Sequence, residues 1–295
     1  MTASHEHAWD DFWASNAQHN GSGGCLPGSW QSIEKAQHSA WREFAKEIAE
    51  GAHVFDLATG DARVLQWLQH ARADLELTGI DRAPTLPKAP EGITVKSGIS
   101  MESLPFADGS FAIIVSQFGF EYSEIEPTAA EMARVLQKNG TIGLMTHRPD
   151  SPILAHNLQR RDHIEWALQE HDLISVAKRS LAARASGTIS TNYKVAQAPE
   201  AAARKFGNRS AAWEISEAIR RTLIGGQNYS EAHVETTLNM IAEQAQNELD
   251  RIASLEGACR RMADQAIIDQ AFLKAGLVQR SQHAVNDTAN HKPFA

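Results

Sequence analysis

Cysteine is nearly absent. Cys25 and Cys259 are the only two in 295 residues, too few for a disulfide framework, and neither stands in a metal-ligand spacing. Long apolar runs are missing too: nothing approaches the ~20 residues that span a bilayer, and the N-terminal stretch is polar rather than leader-like. No membrane association is expected, and a reducing, cytoplasmic location is the default. Basic charge is in deficit, with 28 Lys and Arg against 36 Asp and Glu, a net charge of −8 and a pI near 5.9. Such a chain has no global field for polyphosphates, so a nucleic-acid partner is disfavoured. There is no Gly-x-Ser-x-Gly elbow for a nucleophilic triad. His156, His163 and His171 are spaced by seven and eight residues, which is not a tight ligand set, so no metal site is expected.

What is present is ordinary soluble-protein composition, 42% hydrophobic and 22% charged, in a chain long enough for one large domain or a domain with an insertion. Its organising stretch runs from His53 to Leu68. Val54 to Leu57 is a short apolar run, as in a strand buried on both faces. Ala58 to Ala62 contains small and turn-prone residues that let the backbone bend and lie close to a ligand. From Arg63 the apolar spacing becomes helical, with Val64, Leu65 and Leu68 on one face. Strand, tight turn and helix make the first unit of a nucleotide-binding βαβ fold, whose helix N-terminus offers free N–H groups.

The pattern Asp56, Ala58, Gly60, Ala62 resembles motif I of the class I S-adenosylmethionine (SAM) dependent methyltransferases, with alanine at two of the three usual glycines. Alanine disfavours φ > 0, so both positions are expected in ordinary backbone regions, with Gly60 the closest approach to the ligand. Leu77 to Asp81 reads as a second strand ending in an acid. Asp81 lies 21 positions after Gly60, close to the ~20 that separate a glycine turn from a ribose-binding carboxylate. Ser100 to Phe111 resembles the family's Leu-Pro-Phe-x-Asp-x-Ser-Phe signature and leads into a strand from Ala112 to Val115. Ala130 to Gly140 is similar to its Glu-x-x-Arg-Val-Leu helix end, before a strand from Thr141 to Met145.

The resemblance implies an α/β fold: a Rossmann-like, mostly parallel sheet with helices on both faces and a large helical insertion between the fifth and sixth strands. The expected parts are a helical flap over 1–50, a SAM-binding core over 51–150 and 258–295, and a helical lid or substrate subdomain over 151–257. Around the core, Trp9, Phe12 and Trp13 share a helical face, and a helix is expected from about Ser32 to Glu50. In the insertion, helices are expected over 152–173, 174–185, 200–206, 211–224 and 230–255, with breaks at Gly187, Gly207, Gly225-Gly226 and Gly257. The apolar stripe of the last, Val234 to Leu255, suits packing on its neighbours or a seam between two copies. Ala263 to Ala275 reads as the last core helix and Leu277 to Val285 as a sixth strand. The chain stops soon after, so a seventh strand is expected to be short, missing or differently built.

The implied function is SAM-dependent transfer of a methyl group to a small molecule by direct displacement, leaving S-adenosylhomocysteine. The alternatives are a non-catalytic binding or scaffold protein on the same fold and a nicotinamide enzyme. Arg63 fits the latter poorly, since it falls at that motif's third glycine, where helix and sheet pack closely. By resemblance Asp56, Ala58, Gly60 and Asp81 hold the cofactor, with Ser100 and Met101 at the adenine and Gln117 near the sulfonium. Serine at 100 replaces the family's usual acid. Tyr122 and His147 are the catalytic candidates, His147 because imidazole titrates near working pH, while Ser116, Phe118 and Glu121 are expected at the same edge. Phe12, Trp13, Trp30, Trp166, Phe206 and Trp213 suit a ring-lined acceptor pocket, which would favour aromatic substrates.

Overall fold

The computed structural model describes residues 3–18, 27–185 and 192–295. The chain divides into two compact units, Met1–Leu154 with Ser254–Ala295, and Ala155–Ala253. The first is built on a five-stranded sheet in the order β3-β2-β1-β4-β5, every neighbouring pair parallel. Its strands are β1 (His53–Leu57), β2 (Glu76–Ile80), β3 (Ile93–Lys96), β4 (Phe111–Gln117) and β5 (Leu136–Met145). β1 and β4 are apolar and buried almost throughout, as strands covered on both faces must be. The helices of this unit are α1 (Ala3–Gln18), α2 (Gln31–Ala45), α3 (Arg63–Ala71), α4 (Ile125–Val135) and, after the second unit, α10 (Gln265–Lys274). Alternation along β5 separates its faces. Ile142 and Leu144 join a core with Met132 and Val135 of α4 and Phe272 of α10, whereas a β-carbon at Gly143 would meet Phe44 and Trp41 of α2. Strand order reverses between β1 and β4, and a crevice at such a reversal is where open α/β sheets bind ligands.

The expected helix over 32–50 ends at Ala45. Beyond it the chain makes i→i−3 turns, and Arg72 donates to the carbonyls of Ala45 and Ile48 that a longer helix would use. Ser116 and Gln117 belong to β4 itself rather than to the loop after it. The expected sixth strand over 277–285 does not form. Its centre, Gln279 to His283, is polar and exposed and has no apolar face to bury. The chain end instead folds on itself through an antiparallel bridge, Asn286 to Pro293, pinned by a fully buried Phe294. The helical segment therefore follows a fifth strand that, among the described residues, is the last.

The second unit is helical: the later part of α5 (Pro152–Glu165) with a π-turn over Trp166–Glu170, then α6 (Leu173–Ala185), α7 (Tyr193–Phe206), α8 (Ala211–Gly225) and most of α9 (Glu231–Met262). Helix α7 starts earlier than expected because the Asn192 side chain caps it, accepting from the Lys194 N–H. Helix α9 runs straight through Gly257; one glycine costs about 1 kcal/mol, less than burying neighbouring Leu255, Ala258 and Cys259 returns. Gly187 lies outside the described residues. Val234 and Leu238 pack in one core of this unit, and Ala245, Leu249 and Ile252 in another. That stripe is thus buried within a single copy. Trp166, Phe206 and Trp213 also belong to the first of these cores, so the expectation that they line an acceptor pocket is corrected.

Candidate cofactor-binding site

The turn from β1 to α3 is held by a small set of bonds. The Thr59 N–H donates to the Ile80 carbonyl at 2.8 Å and the Ala62 N–H to the Thr59 carbonyl at 2.8 Å. Thr59 Oγ1 donates to Asp56 Oδ2 at 2.7 Å. Gly79 lacks the β-carbon that would strike Thr59, which lets the turn sit down on β2. Asp81, just past β2, accepts from the Gly60 N–H at 2.9 Å and from the Ala83 N–H at 3.0 Å. The 21-residue spacing therefore becomes a direct contact between glycine turn and acid.

One expectation for this turn is overturned. Ala58 and Ala62 are left-handed, with φ of +56° and +59°, as is Gly60 at +54°. The tertiary bonds to Ile80 and Asp81 impose this conformation against alanine's preference, at about 1–2 kcal/mol per residue. Ala62 also starts α3 without a side-chain cap, leaving the helix's first N–H groups to other acceptors.

Two acids line the turn. Asp56 is buried, and burial, opposed by the Thr59 hydroxyl and reinforced by Asp81 and Asp61, pushes its carboxyl up to about 8. Its Oδ1 has no hydrogen-bond partner. A buried carboxyl with an orphaned oxygen in a bed of small residues fits the ammonium end of SAM, since a cation there would restore the charged form. Asp81 is raised by burial as well, with the Ala83 and Gly60 amides pulling the other way. Each of its oxygens retains a lone pair for a ribose hydroxyl. These residues fit the cofactor. A cavity of about 340 Å³ lined by Asp61, Arg63, Trp67 and Lys88 contains none of the expected cofactor ligands and lies outside this set.

Ser100 donates to Glu102, whose other oxygen accepts from the Glu124 N–H at 3.0 Å. The acid missing at position 100 thus has a neighbour two residues on, committed to bracing the loop. Met101 packs beside the core under this loop. Arg134 secures the next stretch through the Leu104 and Phe106 carbonyls, Asp108 and Glu131, so the Glu-x-x-Arg signature is structural here. Gln117 is turned away from the turn: its Oε1 accepts from Trp41 Nε1 at 2.7 Å and its Nε2 reaches Gln37 at 3.5 Å. Its expected cofactor contact is not supported by that geometry.

The catalytic candidates meet on one side of the sheet edge. Phe118, left-handed at φ +54°, stacks on His147 with centroids 4.0 Å apart. Tyr122 lies edge-on to His147 at 6.2 Å and to Trp9 at 5.6 Å. The His147 N–H donates to Glu121 Oε1 at 2.8 Å. Burial pushes the His147 imidazole down to about 3 and the Glu121 carboxyl up to about 7. His147 is therefore a neutral, weakly basic ring, and the premise that it titrates near working pH is corrected. Missed in the sequence were Thr59, the buried brace of Asp56, and the position of Trp13. A small hydroxyl inside the turn pointed to the first; nothing local pointed to the second.

A parallel sheet with this turn, an acid on β1 and another just past β2, and a switch point between β1 and β4 has the form of a Rossmann-like, nucleotide-binding domain. Residues 55–144 match the methyltransferase domain family. Over 117 residues the chain is 31% identical to a demethylmenaquinone methyltransferase of Thermotoga maritima, covering 37% of this chain and 51% of that protein. Its counterpart from Thermus thermophilus is 28% identical over 120 residues, covering 37% and 54%. The chain spans about half the length of these relatives. Among solved structures, a possible histamine N-methyltransferase of Thermotoga maritima aligns with 54% of this chain and 69% of its own at 16% identity and a TM-score of 0.39.

Proposed function

We propose that the protein is a SAM-dependent methyltransferase that transfers a methyl group to a small-molecule acceptor by direct displacement. The observation that carries the reading is the β1–α3 turn, where Gly60 bonds the acid of β2 and Asp56 keeps a buried oxygen unpartnered. When bound, SAM supplies an activated methyl on a sulfonium, so no protein nucleophile is required. Asp56 would orient the amino group, Asp81 would accept from the ribose hydroxyls, and Ser100 and Met101 would serve the adenine. Phe118, Tyr122 and His147 form the acceptor side, where their rings exclude water and align the acceptor. His147 takes no proton in this scheme, because its desolvated ring is too weak a base.

The acceptor is proposed to be a flat, ring-bearing molecule. The rings at the sheet edge support this, and the quinone-type compound in the two relatives' names is the first class to try. The residue 151–257 segment is proposed as substrate cover, and a homodimer through it would use a surface other than the buried α9 stripe. No helix among the described residues is long and apolar enough to cross a membrane; a cytoplasmic location is proposed from the scarcity of cysteine. The test is methyl transfer from labelled SAM to a panel of quinol and phenol acceptors. Transfer to none of them, with SAM bound tightly, would favour the non-catalytic alternative.

A further inference from the structure

The face of Gly60 is not open. A β-carbon placed there would fall inside the indole of Trp13, 2.5 Å from Cη2 and 3.1 Å from Cε2. The ring therefore lies flush against the one residue of the turn whose lack of a side chain permits close approach. Trp13 is carried by α1, whose aromatic face continues through Phe12 (centroids 5.1 Å from Trp13) and Trp9 (5.6 Å from Phe12) to Tyr122 at 5.6 Å. Helix α1 is thus keyed to the sheet edge at Gly60, beyond β1, and at Tyr122, beyond β4. It crosses the switch-point crevice.

From Ala8 to Gln18 only Ala8 is buried, and the other residues are half-buried or exposed. A peripheral helix with so little buried surface opens more readily than the sheet beneath it. Gly60 cannot touch Trp13 and a ligand at the same point.

We propose that Trp13 is a displaceable plug of the cofactor site: its indole holds the place against Gly60 that SAM must take, and binding requires α1 to withdraw it. This rests on the reading that the turn binds SAM. The apparent dissociation constant is then the intrinsic one divided by the open fraction. Removing the ring raises that fraction, and about tenfold tighter binding is the expected scale for losing one such anchor.

The test uses the full chain and S-adenosylhomocysteine, followed by calorimetry and stopped-flow fluorescence. In wild type the observed association rate should level off with ligand concentration, at the rate of α1 opening. Trp13→Ala should bind about tenfold tighter and lose the plateau. Equal affinities with linear rates in both proteins would overturn the plug, and weaker binding by Trp13→Ala would make the indole a ligand contact instead. If neither protein binds, the SAM reading itself falls and the plug with it. Should Trp13→Ala not fold, the wild-type plateau decides alone: its presence supports the plug and a linear rate rejects it.

Discussion

Asp81→Ala should separate a cofactor ligand from a structural brace. The side chain is 8% exposed and accepts two backbone N–H groups, from Gly60 at 2.9 Å and Ala83 at 3.0 Å. Deleting it leaves two donors without acceptors, each costing about 1–3 kcal/mol when buried. Relaxation of the turn recovers part of this, so a stability loss of about 2–4 kcal/mol is expected, a large share of the roughly 5–15 kcal/mol of a typical domain. Asp81→Asn is the sharper probe. It keeps one carbonyl oxygen for one of the two amides and so loses about half as much stability, but it removes the charge that grips a ribose diol. A hydrogen bond to a charged group contributes about 1.5–3 kcal/mol, which is about ten- to a hundredfold in affinity. Urea unfolding measures the first quantity, and calorimetric titration with S-adenosylhomocysteine, well below the unfolding temperature, measures the second. If Asp81→Asn is destabilised yet binds as tightly as wild type, the carboxylate is only a brace and its assignment as ribose ligand is wrong.

Three further outcomes follow from the same geometry. Relieving the left-handed alanine by Ala58→Gly should stabilise the protein by about 0.5–1 kcal/mol, the strain of roughly 1–2 less the added unfolded-state entropy of about 0.4–1; a fall in melting temperature would contradict the dihedral argument. Asp56 and Glu121 are raised by burial to about 8 and about 7, so the stability they confer is full below their unfolded values and is lost as pH rises through the folded ones. Between pH 6.5 and 8, stability should therefore fall by about 1 kcal/mol per pH unit, a slope that Asp56→Asn should reduce; rising stability over that window in urea titrations would refute it. His147, pushed down to about 3, acts oppositely and below that window, losing stability as pH falls from about 6.5. Finally, an ammonium beside Asp56 should drive out its proton. Binding at pH 7 should then release up to about one proton, seen as a dependence of the calorimetric heat on buffer ionisation, and wild type and Asp56→Asn giving the same heats would remove this role.

Local signals made the cofactor half legible. The apolar run of β1, the small residues after it and the periodicity of α3 are consecutive, and the distance from Gly60 to Asp81 is set by one helix and one strand. What escaped is set by distant parts of the chain. The φ angles of Ala58 and Ala62 are imposed by closing the turn onto Ile80 and Asp81, which a small side chain neither requires nor forbids. The downward shift of His147 comes from burial among rings that arrive from separate loops. Trp166, Phe206 and Trp213 look like pocket residues from composition but are spent on the core of the helical unit. The Leu277 to Val285 segment shows the limit of fold analogy: the pattern asks for a strand there, but its polar centre has no face to bury.

The central claim is that the β1–α3 turn is a SAM site, and native mass spectrometry of the 295-residue chain with SAM, S-adenosylhomocysteine and NAD in competition tests it most directly. A one-to-one complex with SAM or its demethylated product, markedly weakened in Asp81→Asn and unaffected by NAD, is the predicted result. Retention of NAD with neither SAM species bound would contradict the account.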